Sequence, residues 1–199
     1  EIQELFQQYP SINNLYEPKP IVGDWIGDGD TPLQGFSWKH GSTADTKGMK
    51  MWSDVFLHDT TTEKIAIVIM DTQGLFETGS TREENGRIFG LSTLLSSIQI
   101  LNIKDVLQED QLEYLETATS LAKIIVKKQI STDWKPFQRL LFLFRDWTDD
   151  GVGYGYDGGK NYLNTAILKV AGNKNSKANV IRQNIRSSFD EISCFLLNN

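Results

Sequence analysis

The chain has 199 residues, with 20 Lys and Arg against 26 Asp and Glu and a formal net charge of −6. That length suits one folded core rather than two full domains, and a 39% hydrophobic content excludes a disordered chain. The acidic balance argues against a nucleic-acid partner, which needs a basic face, and the single Cys194 excludes an internal disulfide or a thiolate zinc cage.

Residues 1–8 read as the tail of a helix. From Tyr9 to Gly48 the chain holds four of its five prolines, with Asp28-Gly29-Asp30 and Pro18-Lys19-Pro20 among its turn signals. A loop region of this length inside a compact domain is usually functional. Met51–His58 reads as a strand, closed by a polar turn at Asp59-Thr60-Thr61-Thr62. Lys64–Met70 is a continuous apolar, β-branched run, the pattern of a strand buried on both faces. Glu83–Leu101 reads as a helix capped by Thr81 or Ser80. Gln108–Gln129 reads as a second, acidic at its start (Glu109, Asp110) and basic at its end (Lys123, Lys127, Lys128), as the helix dipole favours. Arg139–Phe144 is another buried strand, Gly159–Val170 and Lys177–Phe189 read as helices, and Ile192–Leu197 is the last strand. Strands alternating with helices predict an α/β fold with a mainly parallel sheet flanked by helices. No apolar run approaches the ~20 residues that span a bilayer.

Ligands of such folds gather at the carboxyl ends of the strands, so the residues there carry the functional reading. After the 64–70 run comes Asp71-Thr72-Gln73-Gly74. A carboxylate leaving a strand can hold Mg²⁺, and a bare glycine amide can approach a terminal phosphate. Asp-x-x-Gly occurs four times, at Asp24, Asp45, Asp71 and Asp150, and only the Asp71 copy follows a long apolar strand. The same string also reads as a plain strand-ending turn. After Arg139–Phe144 comes Arg145-Asp146-Trp147. In isolation Arg145-Asp146 reads as a local salt bridge. As a site, the Asp146 carboxylate can accept from the ring N–H and amino group of guanine together, a donor pair adenine lacks.

His40 and His58 sit in polar surroundings and read as surface residues, so no transition-metal site is built from protein side chains. No Gly-x-Ser-x-Gly elbow occurs. The Glu109, Asp110, Glu113 and Glu116 face reads as solvated helix surface, with a dimer contact as the alternative. The five tryptophans read as core or loop anchors.

Taken in order, Gly35-Phe36-Ser37-Trp38, Thr46-Lys47-Gly48, Trp52, Met70–Gly74, Phe142–Trp147, Asp157-Gly158-Gly159 and Ile192–Leu197 form a specific set. Over Val22 to Leu197 the chain resembles the GTPase domain of the atlastins, dynamin-related proteins that fuse endoplasmic reticulum membranes. Guanylate-binding proteins are their near relatives. The resemblance implies a P-loop GTPase fold of the dynamin type and assigns roles by position. Thr46 matches the mobile-loop threonine that meets Mg²⁺ when a terminal phosphate is present. Asp71 and Gly74 match the metal and phosphate sensor, with Thr46 and Gly74 in the catalytic role. Arg145 and Asp146 match the pair that recognises guanine, and a base-covering loop falls around Val170–Lys177.

Two departures qualify the match. No Gly-x-x-x-x-Gly-Lys-Ser/Thr loop occurs, and neither Gly158-Gly159-Lys160 nor Gly172-Asn173-Lys174 replaces it. The expectation is therefore a single partial domain over residues 1–199, N-terminally incomplete, with nucleotide-responsive loops in 1–50 and the strand–helix core in 51–199. Leu75 stands where Ras-like enzymes carry the water-orienting glutamine, and Ala44 where the guanylate-binding branch has a serine. Gln73, before the glycine, does not take the glutamine's role. The resemblance implies GTP and GDP as ligands, Mg²⁺ as cofactor, a homodimer through this domain, and the cytosolic face of the endoplasmic reticulum, with membrane contact through segments outside this chain. The competing readings are a catalytically silent dimerisation module and an immune GTPase of the guanylate-binding type.

Overall fold

A computed structural model describes residues 19–20, 35–37, 45–74, 80–104, 106–125 and 135–198. The helix tail at 1–8, most of the Tyr9–Gly48 loop region, His40, Ala44 and Leu75 lie outside the described residues. The chain divides into two compact units, Glu1–Thr72 and Gln73–Asn199.

In the first unit the described strands are short. β1 (Lys19–Pro20) pairs in parallel with β3 (Phe56–Asp59), which pairs antiparallel with β4 (Lys64–Ile67). The turn between β3 and β4 is closed by Thr60, whose hydroxyl accepts from the amide of Glu63 at 2.9 Å. β2 (Met49–Met51) pairs antiparallel with β5 (Met70–Thr72). The predicted 51–58 strand is thus split between β2 and β3.

The predicted doubly buried strand over 64–70 is corrected by the structure. All four residues of β4 are solvent-exposed, Val68 is 50% exposed, and Met70 already belongs to β5 in another sheet. An apolar, β-branched run records a preference for extended pairing. It does not supply the layers that would cover both faces, and among the described residues β4 pairs only with β3.

The second unit carries the hydrophobic core of the described residues. Its frame is a parallel sheet in the order β6-β7-β8, formed by Ile98–Lys104, Phe137–Trp147 and Phe189–Asn198. Helix α1 (Arg82–Leu95) begins at a complete capping box. The Thr81 hydroxyl accepts from the Glu84 amide at 3.2 Å, and Glu84 accepts from the Thr81 amide at 2.9 Å. The predicted helix over 83–101 ran too far: Ser96 is extended and Ile98–Lys104 is β6. The apolar spacing there fits both periods, and the pairing with β7 decides it.

Helix α2 (Glu109–Ile125) follows β6, α3 (Gly155–Tyr162) follows β7, and a π-helical turn (Leu163–Ile167) extends α3. The expected helix over 159–170 therefore starts four residues early and finishes in a wider turn. Helix α4 (Lys177–Arg186) ends before Phe189, which opens β8. Buried Arg182 holds these pieces together: its guanidinium donates to the Ile167 carbonyl at 2.9 Å, to the Ala178 carbonyl at 3.1 Å and to Glu109. Gly158 and Gly159, noted in the sequence without a role, are packing residues. A Cβ on Gly159 would stand 2.1 Å from the Cys194 carbonyl oxygen, so α3 lies directly on the β8 backbone.

Candidate functional site

In the first unit, Thr46 lies in the short segment that Gly48, at φ +71°, turns into β2. The β2–β5 register sets Lys50 opposite Asp71 and Met49 opposite Thr72, which carries the Thr46 segment alongside the carboxylate. Thr46 is only 7% exposed, and its hydroxyl donates to Asp71 Oδ2. Lys50 fastens the same segment: its ammonium donates to Ser37 Oγ at 3.1 Å and lies 3.9 Å from Asp45 Oδ2. Phe36 packs edge-on against Trp52, ring centroids 5.3 Å apart. The structure thus brings together the two residues predicted to serve the metal.

Both donors are hard oxygens, a hydroxyl and a carboxylate, as Mg²⁺ prefers. Among the described residues no cluster of three His, Cys, Asp or Glu could cage a metal.

Gly74 belongs to the second unit and is exposed, with open space where a Cβ would stand. Gln73 is turned to α1, where its amide donates to Asn85 Oδ1 at 3.4 Å.

The second unit places Arg145 and Asp146 at the carboxyl end of β7. The sequence put them just after the strand; the structure puts them within it, at a bulge between Phe144 and Trp147. Asp146 is half-buried and sits at φ +58°, the left-handed region that Asp tolerates better than most residues. The local salt bridge is not formed. Arg145 donates instead from Nε to Asn102 Oδ1 on β6 at 2.7 Å. The Asp146 carboxylate has no hydrogen-bond or ion-pair partner among the described residues, and both its oxygens remain available as acceptors.

The predicted base-covering loop, Val170–Lys177, is held to α4. The Asn179 side chain donates to the Ala171 and Asn173 carbonyls at 2.8 and 2.7 Å. Among the described residues no hydrogen bond joins this loop to Arg145 or Asp146. A cavity of about 530 Å³, lined by Lys135, Lys160, Leu168, Arg186 and Phe189 among others, lies toward the amino ends of β7 and β8. That is the opposite end of the strands from Asp146, so the cavity is not part of this site. The sequence reading gave no role to Asn102, one of three polar side chains within Ile98–Lys104 with Gln99 and Lys104, and none to Lys50.

Each unit thus carries one part of the set expected from the sequence, Thr46 with Asp71 in the first and Asp146 at a strand end in the second. The chain belongs to the family described as guanylate-binding protein, N-terminal domain, which matches residues 12–199. It is 43% identical to Atlastin-1 of Bos taurus over 188 residues, 94% of this chain and 33% of that protein. It is 43% identical to Atlastin of Drosophila melanogaster over 176 residues, 87% of this chain and 32% of that protein. Against Atlastin-3 of Homo sapiens the identity is 39% over 189 residues, 94% of this chain and 34% of that protein. The atlastin-like domain expected from the motifs is therefore found, and the chain spans about a third of the length of these relatives. No helix among the described residues is long and apolar enough to cross a membrane.

Proposed function

We propose that this domain binds GTP and hydrolyses it to GDP and phosphate, within a longer atlastin-like protein. The observation that carries the reading is the Asp146 carboxylate: without a partner among the described residues, at the carboxyl end of a parallel strand, in a chain of the guanylate-binding family. Its two oxygens accept the ring N–H and the exocyclic amino hydrogen of guanine. Arg145, steered aside by Asn102, leaves that carboxylate unpaired.

At the phosphate end, Thr46 and Asp71 would hold Mg²⁺. When bound, the ion neutralises charge on the phosphate oxygens. The Thr46 hydroxyl, which donates to Asp71, would be the group that turns to the ion, and the Gly74 amide would face the terminal phosphate. Water then attacks the terminal phosphorus in line, and the bond to the bridging oxygen of GDP breaks. Positioning and charge stabilisation drive the step, without a covalent intermediate. From the family resemblance the same proposal takes homodimerisation through this domain and tethering of endoplasmic reticulum membranes.

The test is competition binding of guanosine, xanthosine and adenosine triphosphates to a longer chain that carries a phosphate-binding loop. Asp146→Asn sets an amide donor against a guanine donor, so guanosine binding should weaken by about 2–4 kcal/mol. Xanthine has an oxygen in place of the amino group and should be gained. An intact guanosine preference in the variant would move base recognition away from Asp146.

A further inference from the structure

We propose that Trp147 is the residue that positions Asp146 for base recognition; the inference rests on the reading of Asp146 given above. Along β7, Leu140, Phe142 and Phe144 are buried in strict alternation. A regular strand would continue by turning position 146 into the core and position 147 out of it. The structure shows the reverse: Trp147 is 4% exposed and Asp146 is half-buried.

The change of phase comes from one extra residue. Phe144 pairs with Leu196 and Trp147 with Asn198, three steps along β7 against two along β8. Asp146 absorbs the misfit at φ +58°. Such bulges re-aim side chains beside functional sites.

The indole is what holds the bulge in place. Its ring lies 4.7 Å from that of Tyr162 and 5.9 Å from that of Phe144, and the Phe144 and Tyr162 rings stand edge-on to each other at 5.4 Å. Its Nε1–H donates to the Asp149 carbonyl at 3.1 Å, so its single polar atom is satisfied while the ring is buried. Without that buried ring, nothing in the pattern of β7 opposes regular pairing, which would drive a carboxylate towards the core and away from a ligand. Trp147 touches no nucleotide and acts through Asp146.

The measurement that separates positioning from general stability is the preference for guanosine over inosine triphosphate, in a longer chain that carries a phosphate-binding loop. Inosine lacks the amino group, so the ratio reads the second hydrogen bond to Asp146. A variant that merely weakens the fold loses both ligands together and keeps the ratio. Trp147→Leu should lower the ratio roughly tenfold, the scale of one unmade hydrogen bond to a charged group, while Trp147→Phe should hold it within about twofold because an aromatic ring still fills the cluster. If Trp147→Leu does not fold, Tyr162→Leu, which strips the indole of its nearest ring, should lower the ratio in its place. An unchanged ratio in whichever leucine variant folds overturns the proposal. If Asp146→Asn also leaves the ratio unchanged, the fault lies with the reading of Asp146 itself. If Asp146→Asn abolishes the ratio and the leucine variant does not, only the positioning role of Trp147 falls.

Discussion

The two groups proposed to serve the nucleotide are held in different ways. Thr46 and Asp71 meet across β2 and β5, three residues each, beside a β4 whose side chains face solvent. Asp146 is the penultimate residue of an eleven-residue strand flanked by β6 and β8, with Phe142 and Phe144 of the same strand fully buried. The carboxylate assigned to the base is thus pre-placed by a packed core. The oxygens assigned to the metal are held by one hydrogen bond and a short register. That is an economical division: base recognition needs a fixed donor–acceptor geometry, whereas a group that responds to a terminal phosphate must be able to move.

If the second unit is rigid because its layers touch backbone to backbone, Gly159→Ala should damage it most. The added Cβ would meet the Cys194 carbonyl 2.1 Å away, and α3 would have to lift from β8. The expected loss is about 3 kcal/mol, at the upper end of what overpacking costs. Urea unfolding followed by tryptophan fluorescence measures it, since Trp147 is buried in the same unit. A loss below about 0.5 kcal/mol, the scatter of an ordinary surface substitution, would show that the unit yields easily and would erase the contrast.

Much of that packed unit was legible in the sequence. The Arg139–Phe144 and Ile192–Leu197 strands, the capping threonine at 81 and the acidic start of α2 all followed from periodicity and cap chemistry, and each lies where expected. What failed was local pattern without knowledge of partners. Leu94–Leu101 satisfies helix and strand spacing alike, and only the pairing of β6 with β7 decides it. The run over 64–70 looked buried because its composition is that of a covered strand, and its exposure depends on neighbours that no local window contains. The residues proposed for the site stand out in the sequence as motifs. Their support does not: Asn102 steering Arg145 needs the β6–β7 register. The bulge at Asp146 had a visible trace, the three-residue step from Phe144 to Trp147 in an alternating strand.

The looser pair gives the next largest effect. In a longer chain that carries a phosphate-binding loop, Thr46→Ala should reduce GTP hydrolysis by roughly tenfold to a hundredfold, the range typical of groups that orient a metal site. GDP affinity should stay within about twofold, because the hydroxyl is needed only when a terminal phosphate is present. Thr46→Ser, which keeps the hydroxyl, should restore most of the rate. Equal losses for GDP and GTP binding would place Thr46 in the permanent architecture, like the residues under Asp146, and would break the distinction between the two regions.

The smallest effect concerns the entrance to α1, where the second unit meets solvent. The Thr81 backbone N–H, and after it the Thr81 hydroxyl, hold the Glu84 carboxyl below its ordinary value of 4.5. A carboxyl whose folded pKa is depressed adds stability above its unfolded pKa, and that contribution fades as the pH falls through the folded value. Glu84→Gln keeps an acceptor for the Thr81 amide and removes the titration. The parent should therefore be the more stable of the two at neutral pH, by a margin that is constant down to the usual carboxylate range and shrinks below about pH 4.5. Thermal melting of both proteins from pH 7 to pH 3 reads the margin directly. A margin that grew on acidification would mean that the protonated form of Glu84 is the one the fold prefers, and the cap would have to be redrawn with the carboxyl as donor.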